Sequence, residues 1–195
     1  MTPRQTTRDG VRDAIAGLPA GDTRYVGIDG FGAAGKTSLA RWLMARIPAV
    51  VVVHVDDFAG PRIPEWDWDR LREQVLDPLR DGRPGRYQRW DWASDSGQEW
   101  HDVAPGGVVV IEGVSCTRQE VALDWNLTVW VATSIDIRRS RALTRDGADM
   151  YDTWEQRWIP REQAYGVRER PWERVDLVVR GDEPDNSDDG RATPQ

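Results

Sequence analysis

The sequence predicts an α/β fold built on a five-stranded parallel sheet with helices on both faces. Five short runs rich in Val, Ile and Leu recur along the chain, and helical patterns fall between them. Runs that stay apolar without alternating belong to strands buried on both faces, which is the condition of a parallel sheet. A length of 195 residues with 39% hydrophobic content suits one domain with its own core.

Val11, Ala14, Ile15 and Leu18 recur at helical spacing ahead of Pro19-Ala20-Gly21. Residues 24–29 read as the first strand and a glycine-rich loop follows. Residues 36–47 read as a helix with Leu39, Trp42, Leu43 and Ile47 as its apolar stripe. Residues 50–55 are a β-branched strand, and 68–79 a helix with Leu71, Val75, Leu76 and Leu79 on one side. Gly106-Gly107 introduces a third strand at 108–111, and 127–131 is a fourth. Helices are expected at 134–146 and 150–167, the second interrupted at Pro160, whose ring clashes with the preceding turn. Residues 175–179 close the sheet. Residues 182–195 carry almost no apolar side chains and are expected to be a disordered tail.

A net charge of −7 argues against nucleic acid or an anionic membrane as partner, since both are polyanions. Cys116 is the one cysteine, so no internal disulfide can form. With His54 and His101 it cannot build a standard zinc site. No apolar run approaches the roughly 20 residues of a membrane span, and residues 1–10 lack a signal-peptide core. A cytoplasmic protein is the expectation, with a homo-oligomer left open.

Lys36 is the one lysine, although lysines and arginines together number 26. It sits in Gly30-Phe31-Gly32-Ala33-Ala34-Gly35-Lys36-Thr37, which fits G-x-x-x-x-G-K-[S/T] at every fixed position. An ammonium is compact enough to follow a phosphate into a backbone cradle, where a planar guanidinium is too broad. Backbone N–H groups and the following helix's positive end favour an anion there. The nucleotide site is therefore expected at Gly30 to Thr37 with Ser38. Lys36 would reach the β- and γ-phosphates, and the Thr37 hydroxyl would face Mg²⁺.

Two acidic positions follow strands: Asp56-Asp57 after Val55, and Glu112 after Ile111. In a parallel sheet these ends lie beside the phosphate loop. Asp56 is assigned as the base and a metal contact, and Glu112 as holding Mg²⁺ directly or through water. One of Asp56 and Asp57 is left as a turn residue. Arg138, Arg141 and Arg145 share one helical face, which suits a phosphate-clamping lid at about 134–150. Arg138 and Arg141 are assigned to ATP and Arg141 and Arg145 to catalysis; a solvated, acid-paired face is the other reading. Residues 59–104 hold Trp66-Asp67-Trp68-Asp69, Tyr87, Trp90-Asp91-Trp92 and Trp100-His101. Aromatic faces can stack a base at roughly 1–3 kcal/mol, and acids can bind a ribose diol, so Asp67, Tyr87 and Asp91 are acceptor-site candidates. Packing, and an N-cap role for Asp67, are the alternatives.

In that order the pieces resemble the uridine kinase-like branch of the P-loop kinases, related to nucleoside and pantothenate kinases. They are Gly27-Ile28-Asp29-Gly30 through Thr37, Val55-Asp56-Asp57-Phe58, Trp66 to Leu71, Tyr87 with Asp91, Val110-Ile111-Glu112-Gly113, and Arg138 to Asp146. Pro160, Tyr165, Pro171 and Asp176 fit the branch's C-terminal part. The resemblance spans about residues 22–181 within a single domain at 1–181. It implies a P-loop NTPase fold with a mobile lid and ATP-dependent phosphorylation of a hydroxyl, with Asp56 as base and Thr37 and Glu112 as magnesium contacts. Uridine–cytidine kinases place a small residue and then Phe-Tyr after that aspartate, and a histidine shortly after the tyrosine. Here Asp57-Phe58-Ala59 stands, and no histidine follows Tyr87 at that spacing. The expected reaction is transfer from Mg·ATP to a small-molecule alcohol, foremost the 5′-hydroxyl of a nucleoside. A vitamin or sugar alcohol, or a nucleotide-binding regulatory module, is the alternative.

Overall fold

The computed structural model describes residues 2–59, 66–91, 94 and 96–182. The expected tail, apart from Asp182, lies outside the described residues, as do Trp92 and positions 60–65 of the insert. The strands are β1 (Arg4–Thr6), β2 (Arg24–Asp29), β3 (Val50–His54), β4 (Gly85–Asp91), β5 (Ser96–Val103), β6 (Val108–Glu112), β7 (Leu127–Ala132) and β8 (Leu177–Arg180). The helices are α1 (Arg8–Ala16), α2 (Lys36–Met44), α3 (Trp68–Leu71), α4 (Asp77–Arg80), α5 (Ile135–Asp146), α6 (Tyr151–Thr153) and α7 (Ile159–Glu169). A π-helical turn over Arg72–Leu76 joins α3 to α4, and another over Trp154–Trp158 joins α6 to α7, just before Pro160.

The sheet has six parallel strands in the order β1-β8-β7-β2-β6-β3, not five. The extra one, β1, carries no apolar run. It forms because β8 offers an open backbone edge, along which Arg4, Gln5 and Thr6 pair with Leu177, Val178 and Val179. A second departure lies in the insert, where β4 and β5 make a separate antiparallel hairpin. Its residues are mostly polar, and only Gly85, Tyr87 and Val103 are buried, so the alternation is sparse.

Period-2 alternation distributes the core across the sheet. Val26, Ile28, Val110 and Val129 meet Val11, Ile15, Leu39 and Leu43 of α1 and α2. Tyr25, Val53, Val109 and Ile111 meet Leu71, Val75, Leu76 and Leu79 on the other face. Among the described residues no helix is long and apolar enough to cross a membrane.

The register puts the chemistry on one edge. Both Ile28 on β2 and His54 on β3 are opposite Glu112 on β6. The phosphate loop, the Asp56-Asp57 turn and Glu112 therefore leave the sheet at one level. Asp29, at the end of β2, is fully buried and ties this edge together. Its carboxylate accepts from Gly30 N–H (2.6 Å), Ser115 N–H (2.9 Å), Thr117 N–H (3.0 Å) and hydroxyl (2.7 Å), and the Tyr165 hydroxyl (2.8 Å). Asp29→Ala leaves those donors buried without an acceptor. The expected cost is on the order of 3 kcal/mol, and the thermal midpoint should fall by roughly 6–12 °C. An unchanged midpoint by circular dichroism would rule that role out.

Candidate active site

The phosphate loop leaves β2 and enters α2 through Gly35, whose φ of 104° a side chain would disfavour. Lys36 is buried, and its Nζ donates to the Phe31 carbonyl at 2.9 Å. Ser38 is exposed on the first turn of α2. Thr37 points towards β6, and its hydroxyl donates to Glu112 Oε1 at 2.8 Å.

Glu112 is 4% exposed and also lies 2.6 Å from His54 Nδ1. Burial pushes its carboxyl up, but His54, Lys36 and Thr37 outweigh this and leave it below the usual value. The hydrogen bond to Glu112 in turn raises His54. Asp56 and Asp57 part company on the 3₁₀ turn Val55–Phe58. Asp57 is buried and accepts from the Tyr87 hydroxyl at 3.2 Å, while Arg70 holds its carbonyl. Asp56 is exposed to solvent, and the protein atoms around it desolvate its carboxyl in part. That desolvation, with the charge of Glu112, raises its pKa; Lys36 and His54 pull it back.

The arginines of α5 separate. Arg138 is buried, donates from Nε to the Gly32 carbonyl at 2.8 Å, and pairs with Glu162 of α7. Burial pushes Glu162 up and Arg138 down, and each charge pulls the other back towards its ionised form. Arg141 lies against the loop's backbone, donating to Ala34 O (3.3 Å) and Gly181 O (2.9 Å). Arg145 is exposed and paired with Asp146, which also accepts from Trp154 Nε1 at 2.8 Å. The bond to Asp146 raises the Arg145 pKa, and the charge of Asp56 adds a smaller share.

The acceptor candidates each take local partners. Asp67 caps α3, accepting from Arg70 N–H at 2.9 Å. Tyr87 is 2% exposed and stands behind Asp57. Asp91 ends β4 and accepts from Ser94 N–H and hydroxyl. On the opposite strand His101 pairs with Tyr87 in the hairpin, their rings stacked 5.3 Å apart.

Among the described residues no group of His, Cys, Asp and Glu forms a metal cage. Mg²⁺ is usually held by one or two carboxylates together with phosphate oxygens and water. The Thr37 hydroxyl, Glu112 and Asp56 are hard oxygen donors clustered at one edge, and they fit it.

A model of the phosphoribulokinase / uridine kinase family matches residues 57–156, from the Asp57 turn through β6, β7 and α5 to the turn that follows α6. The chain belongs to this family. Uridine kinase-like protein 5 of Arabidopsis thaliana is 27% identical over 139 residues, covering 62% of this chain and 30% of that protein. The inorganic pyrophosphatase TTM2 of the same plant is 27% identical over 134 residues, covering 62% of this chain and 19% of that protein. The chain thus spans less than a third of the length of these curated relatives. A possible uridine kinase from Bacillus stearothermophilus superposes with a TM-score of 0.70 at 21% identity, over 88% of this chain and 96% of that one. At that identity the likeness is one of fold, and it supports the P-loop kinase architecture.

Sequence reasoning did not assign His54, Glu162 or Asp29. His54 had a usable signal, since it stands at the end of the strand that delivers Asp56. The His54–Glu112 pair should contribute to the pH dependence of stability. The raised His54 makes a contribution that is full below the unfolded value of 6.5 and fades as pH climbs through the folded value. The lowered Glu112 contributes above 4.5 and fades as pH falls through its own folded value. In urea midpoints His54→Gln should flatten the decline on the alkaline side. An alkaline decline identical in both proteins would show the pair to be uncoupled from stability.

Proposed function

We propose that the chain is a magnesium-dependent kinase transferring the γ-phosphoryl group of ATP to a small-molecule alcohol, foremost the 5′-hydroxyl of a nucleoside. The observation that carries this reading is the setting of Asp56. It is the solvent-reached acid at the carboxyl edge, within electrostatic reach of Lys36, Glu112 and Arg145.

In this reading the triphosphate lies along Gly30 to Thr37, with Lys36 turning from the Phe31 carbonyl to the terminal phosphates. Thr37, Glu112 and Asp56 would hold Mg²⁺, which supplies neutralisation of phosphate charge when bound. The acceptor oxygen attacks the γ-phosphorus, the bond from phosphorus to the ADP oxygen breaks, and Asp56 takes the hydroxyl proton. Its raised pKa makes Asp56 a better base than an ordinary aspartate. Arg145 stands ready to exchange Asp146 for the transferred phosphoryl group. Closure of the lid over the site would exclude water and suppress hydrolysis. The family assignment supports the reaction class, and the uridine kinase-like relative supports the nucleoside.

A coupled assay of nucleosides against vitamin and sugar alcohols with Mg·ATP tests the reading. Nucleoside-dependent ADP release is expected; release that needs no acceptor would overturn it. Lys36→Ala should lower kcat/KM roughly 100- to 1,000-fold by removing a preorganised cation from the transferred charge. Asp56→Asn should cost roughly 100- to 10,000-fold in transfer while Mg·ATP still binds by calorimetry. In the wild type the acid limb of kcat/KM should lie above 3.8, the ordinary aspartate value, because the base must be ionised. Full transfer by Asp56→Asn would move the base elsewhere.

A further inference from the structure

We infer that Glu162 and Arg138 are positioning residues that hold the phosphate loop in its binding shape from outside, through Gly32. The inference rests on the proposed use of that loop as a triphosphate cradle. The loop is not relaxed. Ala33 has a φ of 58°, a left-handed conformation that costs a residue with a Cβ about 1–2 kcal/mol. Such a conformation persists only where the surroundings over-determine it.

Those surroundings converge on the residue before it. The Gly32 N–H donates to Glu162 Oε1 at 2.6 Å, and the Gly32 carbonyl accepts from Arg138 Nε at 2.8 Å. Arg138 Nη2 closes the triangle on Glu162 Oε2. The two side chains are 6% exposed each, so the charged bonds form away from water, where they are strong. The guanidinium also lies 4.8 Å above the Phe31 ring, which is wedged edge-on against Trp130 and Trp172. A Cβ on residue 32 would fall 2.5 Å from Glu162 Oε1 and 2.7 Å from the Trp154 ring. Glycine at 32 therefore leaves the room that Glu162 and the Trp154 ring occupy. Arg138 is engaged with the loop's backbone and with Glu162, so its contribution to nucleotide binding is made through the loop.

The rival account is that the pair merely joins α5 to α7. Arg138→Met combined with Glu162→Met separates the two, since it removes both bonds to Gly32 without leaving a buried charge unpaired. Two measurements are made on this double variant and the wild type: amide hydrogen exchange of peptides covering residues 30–36, and calorimetry with Mg·ATP. Exchange in the loop should quicken about tenfold and the Kd for Mg·ATP should rise about tenfold, as expected for a lost hydrogen-bonded support. The KM for ATP should rise with the Kd, and that for the acceptor should not. Wild-type exchange and affinity in a folded variant, with only the thermal midpoint moved, would overturn the clamp. If the wild type itself takes up no Mg·ATP, the cradle reading fails, and loop exchange still decides the clamp. If the double variant does not fold, Glu162→Gln replaces it; it weakens the charged bonds at constant size, and unchanged loop exchange there overturns the inference equally.

Discussion

Parallel strand direction is the constraint on which the site depends. All six strands of the main sheet run the same way, so their carboxyl ends open on one edge. In an antiparallel sheet the phosphate loop after β2 and the acids after β3 and β6 would be split between two edges. With Ile28 and His54 both opposite Glu112, they emerge together. This concentrates charge: Glu112, His54, Asp56 and Asp57 act on one another, and each titrates away from its ordinary value.

The edge is stabilised by assigning most of these groups a partner and leaving Asp56 open to solvent. Asp29 takes five donors, Glu112 takes Thr37 and His54, Asp57 takes Tyr87, and Glu162 takes Gly32 and Arg138. Burying a charge is tolerable only when it is paired and hydrogen-bonded, so the buried acids take partners while Asp56 stays exposed. The different surroundings of Asp56 and Asp57 are a packing outcome: adjacent residues on a 3₁₀ turn face different ways, and Asp57 is the one that meets the hairpin's tyrosine.

Much of this was legible in advance. The phosphate loop could be read because its glycines, lysine and threonine are needed at fixed spacing. The core strands could be read because burial on both faces demands unbroken apolar runs. Strand β1 could not, since its three residues pair only because the β8 edge is there to receive them. The hairpin was obscured by polar residues, and with it the stacking of His101 on Tyr87, which strand pairing creates. On α5 the shared face of three arginines was visible, but not that Arg138 would be buried against Glu162, which lies 24 residues away along the chain.

The sequence by itself determined the α/β class, the phosphate loop and the strand-end acids, because each follows from local periodicity or from chemistry with a fixed spacing. Tertiary structure alone decided which aspartate faces solvent, which arginines bind backbone instead of reaching outward, and which histidine meets which carboxylate. Those choices depend on contacts between residues distant in the chain, where packing and desolvation compete, and no local pattern encodes that outcome.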